Sequence, residues 1–353
     1  MTMHVCIATP HTLVAGGTKV LLRLAQLLRS FDITVTVLTQ SLSSIEWLGK
    51  PPQFEIKQVD NISKYTVPPS CTHLITYGDG QSFGPMPDIP IVLYLQGFGT
   101  SQYERECINL MYPYNAVITT SKWLANIAEK QFKHKNVRII PPGIDPIFIP
   151  RERLRSLADL KIDPYWSWDI KEPEKVDTDS MLTIGCLYHH AGSKNMEEFF
   201  NAMNAVHKDQ EIRVLLLSAK EVHKDVFKNA KCPYYVYVNP PQDRIPYLYY
   251  LSNIWVAPSK NEGFGLCPLE AMACGTPAVI KPSFGLDEYL IDNHNCLLFN
   301  NSMERSNMAL RTGLLLRDKE LQTKLIKNGI ELAGKFTWDK FIKSFLRVLE
   351  DTK

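Results

Sequence analysis

The chain has 353 residues, of which 45% are hydrophobic and 22% charged, with a formal net charge of +2. At roughly 100 to 200 residues per domain this length predicts two domains, each with its own core, and the near-neutral balance excludes the strong basic field of a nucleic-acid binder. No apolar run approaches the ~20 residues of a membrane span, and Met1-Thr2-Met3-His4-Val5 lacks the charged and apolar regions of a signal peptide, so the expected location is the cytosol.

In chain order, a strand over His4 to Ala8 leads to a loop with Gly16 and Gly17. An apolar-periodic helix through Val20, Leu21, Leu24, Leu27 and Leu28 follows, then a strand over Ile33 to Leu38. This βαβ unit argues for a parallel sheet. A Rossmann dinucleotide site is the natural rival, but there is no G-x-G-x-x-G, and the second strand ends Leu38-Thr39-Gln40 without an acidic residue to hold a ribose. Further strands are expected at Phe54 to Val59, Thr72 to Tyr77, Ile91 to Leu95, Ala116 to Thr119 and Val137 to Ile140, with a helix from Ser121 to Gln131. Gln96 follows the fifth strand and can hydrogen-bond a hydroxyl group but cannot ionise. Tyr103, Glu104 and Glu106 read as an exposed helix face or as groups serving an acceptor.

Residues 151 to 180 are charged and proline-bearing, with Trp166 and Trp168 as anchors, and read as an interdomain linker. The triplet Asp177-Thr178-Asp179 inside it has the form of a divalent-metal ligand, but its setting from Glu172 to Ser180 is a solvated acidic run, so no metal is expected. The second domain opens with a strand at Met181 to Gly185, a loop carrying His189, His190 and Lys194, and a helix. Strands at Ile212 to Ser218 and Tyr235 to Val238, a helix at Ile245 to Leu251 and a strand at Ile254 to Pro258 come next. Eight cysteines show no C-x-x-C pair and no zinc-like histidine spacing, and read as reduced, buried thiols.

The most informative stretch is Glu262-Gly263-Phe264-Gly265-Leu266-Cys267-Pro268-Leu269-Glu270. Its glycines let backbone approach a ligand, a helix is expected to open at Pro268, and a helix N-terminus favours a phosphate. The two carboxylates bracket that cradle and suit sugar hydroxyls. The bland alternative is that Glu270 complements the helix dipole while Glu262 is solvated. The stretch Glu262 to Gly275 resembles the E-x7-E signature of retaining glycosyltransferases of family four, which have the GT-B fold.

The resemblance extends along the chain: the Gly16-Gly17 loop, Thr119-Thr120-Ser121-Lys122-Trp123, the exit Pro141-Pro142-Gly143-Ile144-Asp145, Lys194-Asn195, and Gly285-Leu286-Asp287-Glu288-Tyr289. It implies an α/β chain of two Rossmann-like, doubly wound domains facing a cleft. The implied division is an acceptor-side domain over 1 to 150, the linker over 151 to 180, a nucleotide-sugar domain over 181 to 336, and a closing helix over 337 to 353 that crosses back to the first domain. Carried over residue by residue, Glu270 holds ribose hydroxyls. Glu262 and the backbone of Gly263, Phe264, Gly265 and Leu266 meet the transferred sugar and phosphate. Lys194, with Asn195, neutralises the departing diphosphate, and Gly16 and Gly17 approach the donor phosphates and acceptor. Gln96 and Ser121 lie on the acceptor or sugar side, and Pro241 and Gln242 beside the base.

Two positions depart from the family pattern. Cys186 stands where an arginine clamps the diphosphate, and Gln96 where many relatives carry a histidine. The implied partners are a UDP- or GDP-linked donor, bound as substrate with no cofactor or metal, and a glycan or lipid-linked acceptor of polysaccharide or glycoconjugate synthesis. The alternatives are a sugar-nucleotide epimerase or phosphorylase on the same fold, or a silent sugar-nucleotide-binding subunit. From Thr337, residues Trp338, Phe341, Ile342, Phe345, Leu346 and Leu349 repeat at helical spacing with Lys340, Lys343 and Arg347 opposite. That face suits packing on the first domain or, alternatively, peripheral contact with a membrane.

Overall fold

Strong apolar runs bounded by turns make strands that are buried on both faces, the condition for an all-parallel sheet. The computed structural model describes residues 3–48, 52–77, 84–98, 112–150, 181–189, 194–300 and 307–352. In chain order, the first group of elements is β1 (His4–His11), α1 (Gly16–Arg29), β2 (Thr34–Ser41), β3 (Glu55–Gln58), β4 (His73–Thr76), β5 (Ile91–Leu95), β6 (Ala116–Thr119), α2 (Lys122–Asn126) and β7 (Val137–Ile139). The second group is β8 (Leu182–Tyr188), α3 (Met196–Asp209), β9 (Ile212–Ser218), β10 (Tyr234–Val238), α4 (Ile245–Leu251), β11 (Ile254–Ala257), α5 (Leu266–Ala273), β12 (Ala278–Ile280), β13 (Leu297–Leu298), α6 (Met308–Arg317), α7 (Lys319–Ala333) and α8 (Trp338–Asp351).

The strands form two sheets in the orders β3-β2-β1-β4-β5-β6-β7 and β10-β9-β8-β11-β12-β13. Every pairing is parallel, with Val5 beside Val35 and His73 in the first sheet and Ile184 beside Val214 and Ile254 in the second. Each order turns back once, between β1 and β4 and between β8 and β11. In doubly wound sheets such switch points open crevices beyond the carboxyl ends of the strands. The chain divides into one unit of Met1–Gly143 with Phe336–Lys353 and another of Ile144–Lys335. The division between the units falls at Gly143, within the exit segment. What ties its second half to the second unit is Phe148, packed edge-on against Tyr249 at 5.8 Å, and the Tyr250 hydroxyl, which donates to Ile149 O at 2.7 Å.

Helix α8 belongs to the first unit. Thr337 caps it by accepting from Lys340 N–H, and Phe341 and Phe345 pack on Tyr94 with centroids 6.0 and 5.6 Å apart. Trp338, Phe341, Ile342, Phe345, Val348 and Leu349 are buried, so the face that could have met a membrane is inside the protein. No helix among the described residues is long and apolar enough to cross a membrane.

Three local expectations need correction. The helix behind β6 does not run evenly from Ser121 to Gln131: it is α-helical only to Asn126 and continues as a π-type turn over Ile127–Gln131. Strand β8 continues past Gly185 to Tyr188, because Cys186, Leu187 and Tyr188 pair with Leu216, Leu217 and Ser218 of β9. Helix α5 starts at Leu266 rather than Pro268. Proline is tolerated anywhere in a first turn, where its missing N–H has no intrahelical acceptor to lose, so it marks the turn without marking the first residue.

Candidate active site

The loops that follow β8 and β11 lie on either side of the second sheet's switch point, and they carry Lys194 and the Glu262 to Gly265 stretch. Gly265 is the N-cap of α5 with φ +81, a backbone setting that side-chain-bearing residues avoid, and a Cβ there would run into Leu286. The loop is fastened from the segment after β12. Gly285 N–H donates to Glu262 O at 3.1 Å, and the Tyr289 hydroxyl donates to the carbonyl oxygen of Phe264. Helix α5 has no acidic residue in its first turn. The positive end of its dipole is therefore not neutralised by its own side chains and can face an anion through the N–H groups of Leu266 and Cys267.

Lys194 Nζ donates to Glu262 Oε1 at 2.5 Å, with the two side chains about one-fifth exposed. Asn195, in the left-handed region at φ 60, turns the chain into α3, and its amide reaches Glu198. Glu270 is 5% exposed, one turn into α5, and its Oε2 accepts from the Tyr249 hydroxyl at 2.9 Å. It is thus a buried, oriented carboxylate, and not a residue of the first turn that merely complements the dipole. Both carboxylates, the cation and the helix end belong to one unit. Such a set can hold an anion between hydroxyl-bearing groups.

Cys186 is fully buried on β8, and burial pushes its thiol well above the ordinary range. It is an interior thiol and supplies no charge at the position where the family resemblance implies an arginine. His189, a candidate replacement, is exposed; His190 lies outside the described residues. Pro241 precedes a short 3-10 turn over Gln242–Arg244 and is half-buried like Gln242, whose Oε1 is buried without a hydrogen-bond partner.

In the first unit, Gly16 and Gly17 open α1 beyond the carboxyl end of β1. A Cβ on Gly16 would meet nothing, whereas one on Gly17 would lie 2.5 Å from the Tyr77 hydroxyl. Gln96 Nε2 donates to Gly17 O at 3.2 Å. The glycine pair is thus shaped by Tyr77 and Gln96, and Gln96 secures the loop. Ser121 is 1% exposed and accepts from Leu124 N–H, so its hydroxyl caps α2. Tyr103, Glu104, Glu106, Trp166, Trp168 and the Asp177-Thr178-Asp179 triplet lie outside the described residues. Among the described residues no group of three or more metal-ligating side chains comes together.

Sequence reasoning missed Tyr77, Tyr249 and Tyr289. The available signal was a phenol inside an apolar pattern, as in Ile245-Pro246-Tyr247-Leu248-Tyr249-Tyr250-Leu251, since a buried tyrosine hydroxyl requires a partner.

Residues 168–332 match the family described as Glycosyl transferases group 1. An uncharacterized glycosyltransferase of Methanocaldococcus jannaschii is 37% identical over 98 residues, 27% of each chain. The chain spans about a quarter of the length of the curated relatives it matches. Among solved structures, Anabaena HepE in complex with UDP and glucose superposes with a TM-score of 0.78 at 15% identity, covering 99% of this chain and 100% of that one. A sucrose-phosphate synthase of Thermosynechococcus elongatus superposes at 0.75 and 17% identity, covering 99% and 98%. At these identities the likeness is one of fold, and the fold is GT-B, with two Rossmann-like α/β units.

Proposed function

We propose that the chain is a retaining, metal-independent glycosyltransferase. It moves a sugar from a UDP- or GDP-linked donor to a hydroxyl of a glycan or lipid-linked acceptor in the cytoplasm. The observation that supports this most directly is the convergence, at one switch point, of Lys194, the acid-free N-terminus of α5, and Glu262 and Glu270 on either side. The group 1 match over residues 168–332 and the UDP and glucose held by HepE support the same reading.

In this reading Glu270 takes the ribose hydroxyls, and the diphosphate lies over the first turn of α5. Lys194 meets the negative charge that grows on the diphosphate as the sugar carbon becomes oxocarbenium-like. Glu262 stands beside that sugar. The acceptor hydroxyl attacks from the face the diphosphate leaves. The bond from anomeric carbon to acceptor oxygen forms, the bond to phosphate oxygen breaks, and the acceptor's proton passes to the leaving phosphate. No side-chain base is needed, and the anomeric configuration is retained.

The test is thermal shift against a panel of UDP- and GDP-sugars, followed by transfer assays with glycan and lipid-linked acceptors. A donor that binds the folded chain raises its melting temperature. Lys194→Ala lowers turnover by ~10² to 10³, as for a removed oxyanion donor, whereas Glu270→Ala mainly raises KM for the donor. Unchanged kinetics in both variants, or a wild-type chain that binds no sugar nucleotide, overturns the proposal. Binding without transfer would favour a silent subunit, the reading that the uncharged Cys186 supports.

A further inference from the structure

A buried carboxylate binds hydroxyl groups well only when its oxygens are held in one orientation, and in this chain the holding group comes from outside the glycine-loop motif. Tyr249, on α4, is fully buried, and its hydroxyl donates to Glu270 Oε2 at 2.9 Å. The ring is fixed on both sides, edge-on to Phe148 at 5.8 Å and to Trp255 at 4.6 Å. Its backbone is fixed as well, because Thr276 Oγ1, just past the end of α5, donates to Tyr249 O at 2.7 Å. Burial, and secondarily the charge of Glu270, keeps the phenol protonated far above its ordinary range, so it remains a donor at physiological pH. A carboxylate offers about four acceptor directions, and the Tyr249 phenol fixes one of those of Glu270 at Oε2.

We infer that Tyr249 is a positioning residue that sets the rotation of the Glu270 carboxylate and thereby the chain's discrimination for ribose over deoxyribose in its nucleotide ligand. The inference rests on the donor-binding reading of Glu270. Tyr249 touches no substrate. Its phenol presents the carboxylate to the vicinal hydroxyls of a ribose, which a 2′-deoxy or 3′-deoxy sugar lacks in part.

The experiment is calorimetric titration of the full chain, wild type and Tyr249→Phe, with UDP, GDP and their 2′-deoxy and 3′-deoxy counterparts. The phenylalanine variant keeps the ring and its two aromatic contacts. Wild type is expected to prefer the ribonucleotide over at least one deoxy form by about 10-fold, the order of a hydrogen bond to a charged group. Tyr249→Phe is expected to lose most of that preference, with the ribonucleotide weakened and the deoxy form little changed. Glu270→Gln should show the same flattened selectivity, and the double variant should lose no more than either single one. An equal weakening of all the nucleotides with a lowered melting temperature, or an unchanged preference in a folded Tyr249→Phe, overturns the inference while the donor site stands. A wild-type chain that binds neither UDP nor GDP overturns the donor-binding reading itself, and this inference with it.

Discussion

Lys194 and Glu262 face each other at 2.5 Å with about a fifth of each side chain exposed, so each neutralises a charge that the proposed reaction uses separately. In the proposed scheme a nucleoside diphosphate competes with the Glu262 carboxylate for the lysine, whereas a sugar nucleotide also gives that carboxylate a sugar to face. Glu262→Gln keeps the shape and removes the competing charge. Free UDP or GDP should then bind more tightly, by about 5-fold if a partly exposed pair contributes ~1 kcal/mol, and the gain should shrink in high salt. Turnover should fall in the same variant, because negative charge beside an oxocarbenium-like sugar is lost. Titration calorimetry of the product nucleotide, set against kcat, checks this; weaker product binding together with unchanged turnover would count against the pairing having any role in the cycle.

At the scale of elements, two loop-to-helix junctions beyond parallel strands are shaped by tyrosines that come from elsewhere in the chain. The Glu262 to Gly265 loop is fastened by Tyr289, and the Gly16-Gly17 junction packs on Tyr77 while Gln96 holds Gly17 O. The two glycines are therefore not equivalent. Gly16→Ala places a methyl group in open space at the first position of α1 and should leave the urea midpoint unchanged or slightly raised, since alanine lowers the entropy of the unfolded chain. Gly17→Ala drives its Cβ onto the Tyr77 ring and should destabilise by about 1 to 3 kcal/mol. Equal midpoints for the two variants would show that the ring moves aside freely.

At the scale of the whole molecule, both units bury titratable groups that the site does not use. Burial pushes the Cys296 thiol up to about 12, with Asp292 adding to the shift, and pushes the Tyr114 phenol up to about 12. The ordinary values are 9.0 and 10.0. The folded chain thus keeps protons that the unfolded chain releases. The stability these groups contribute is fully present below about pH 9 and is lost as pH rises toward 12. Urea midpoints should fall between pH 7 and pH 10.5, and Cys296→Ala should flatten that slope. A second expectation covers the molecule as an enzyme: transfer should persist in excess chelator and in Asp177→Ala. A strict requirement for manganese or magnesium would overturn the metal-independent scheme.

The alternation of buried apolar runs with helical periods was sufficient to read two parallel α/β sheets, because that pattern depends only on neighbours within each segment. The same holds for Glu262, Glu270 and the glycines between them, which sit in one unbroken strand-loop-helix stretch where spacing alone sets relative position. Where β8 ends was not legible, since Leu187 and Tyr188 are strand because β9 supplies their partners. Nor were the phenols of Tyr77, Tyr249 and Tyr289, whose partners lie 21 to 60 residues away. A local pattern records which face of a segment is apolar. It carries nothing about which distant group a buried hydroxyl meets, and that is decided only when the sheet order brings the loops after β8 and β11 to one crevice and packs α4 behind them.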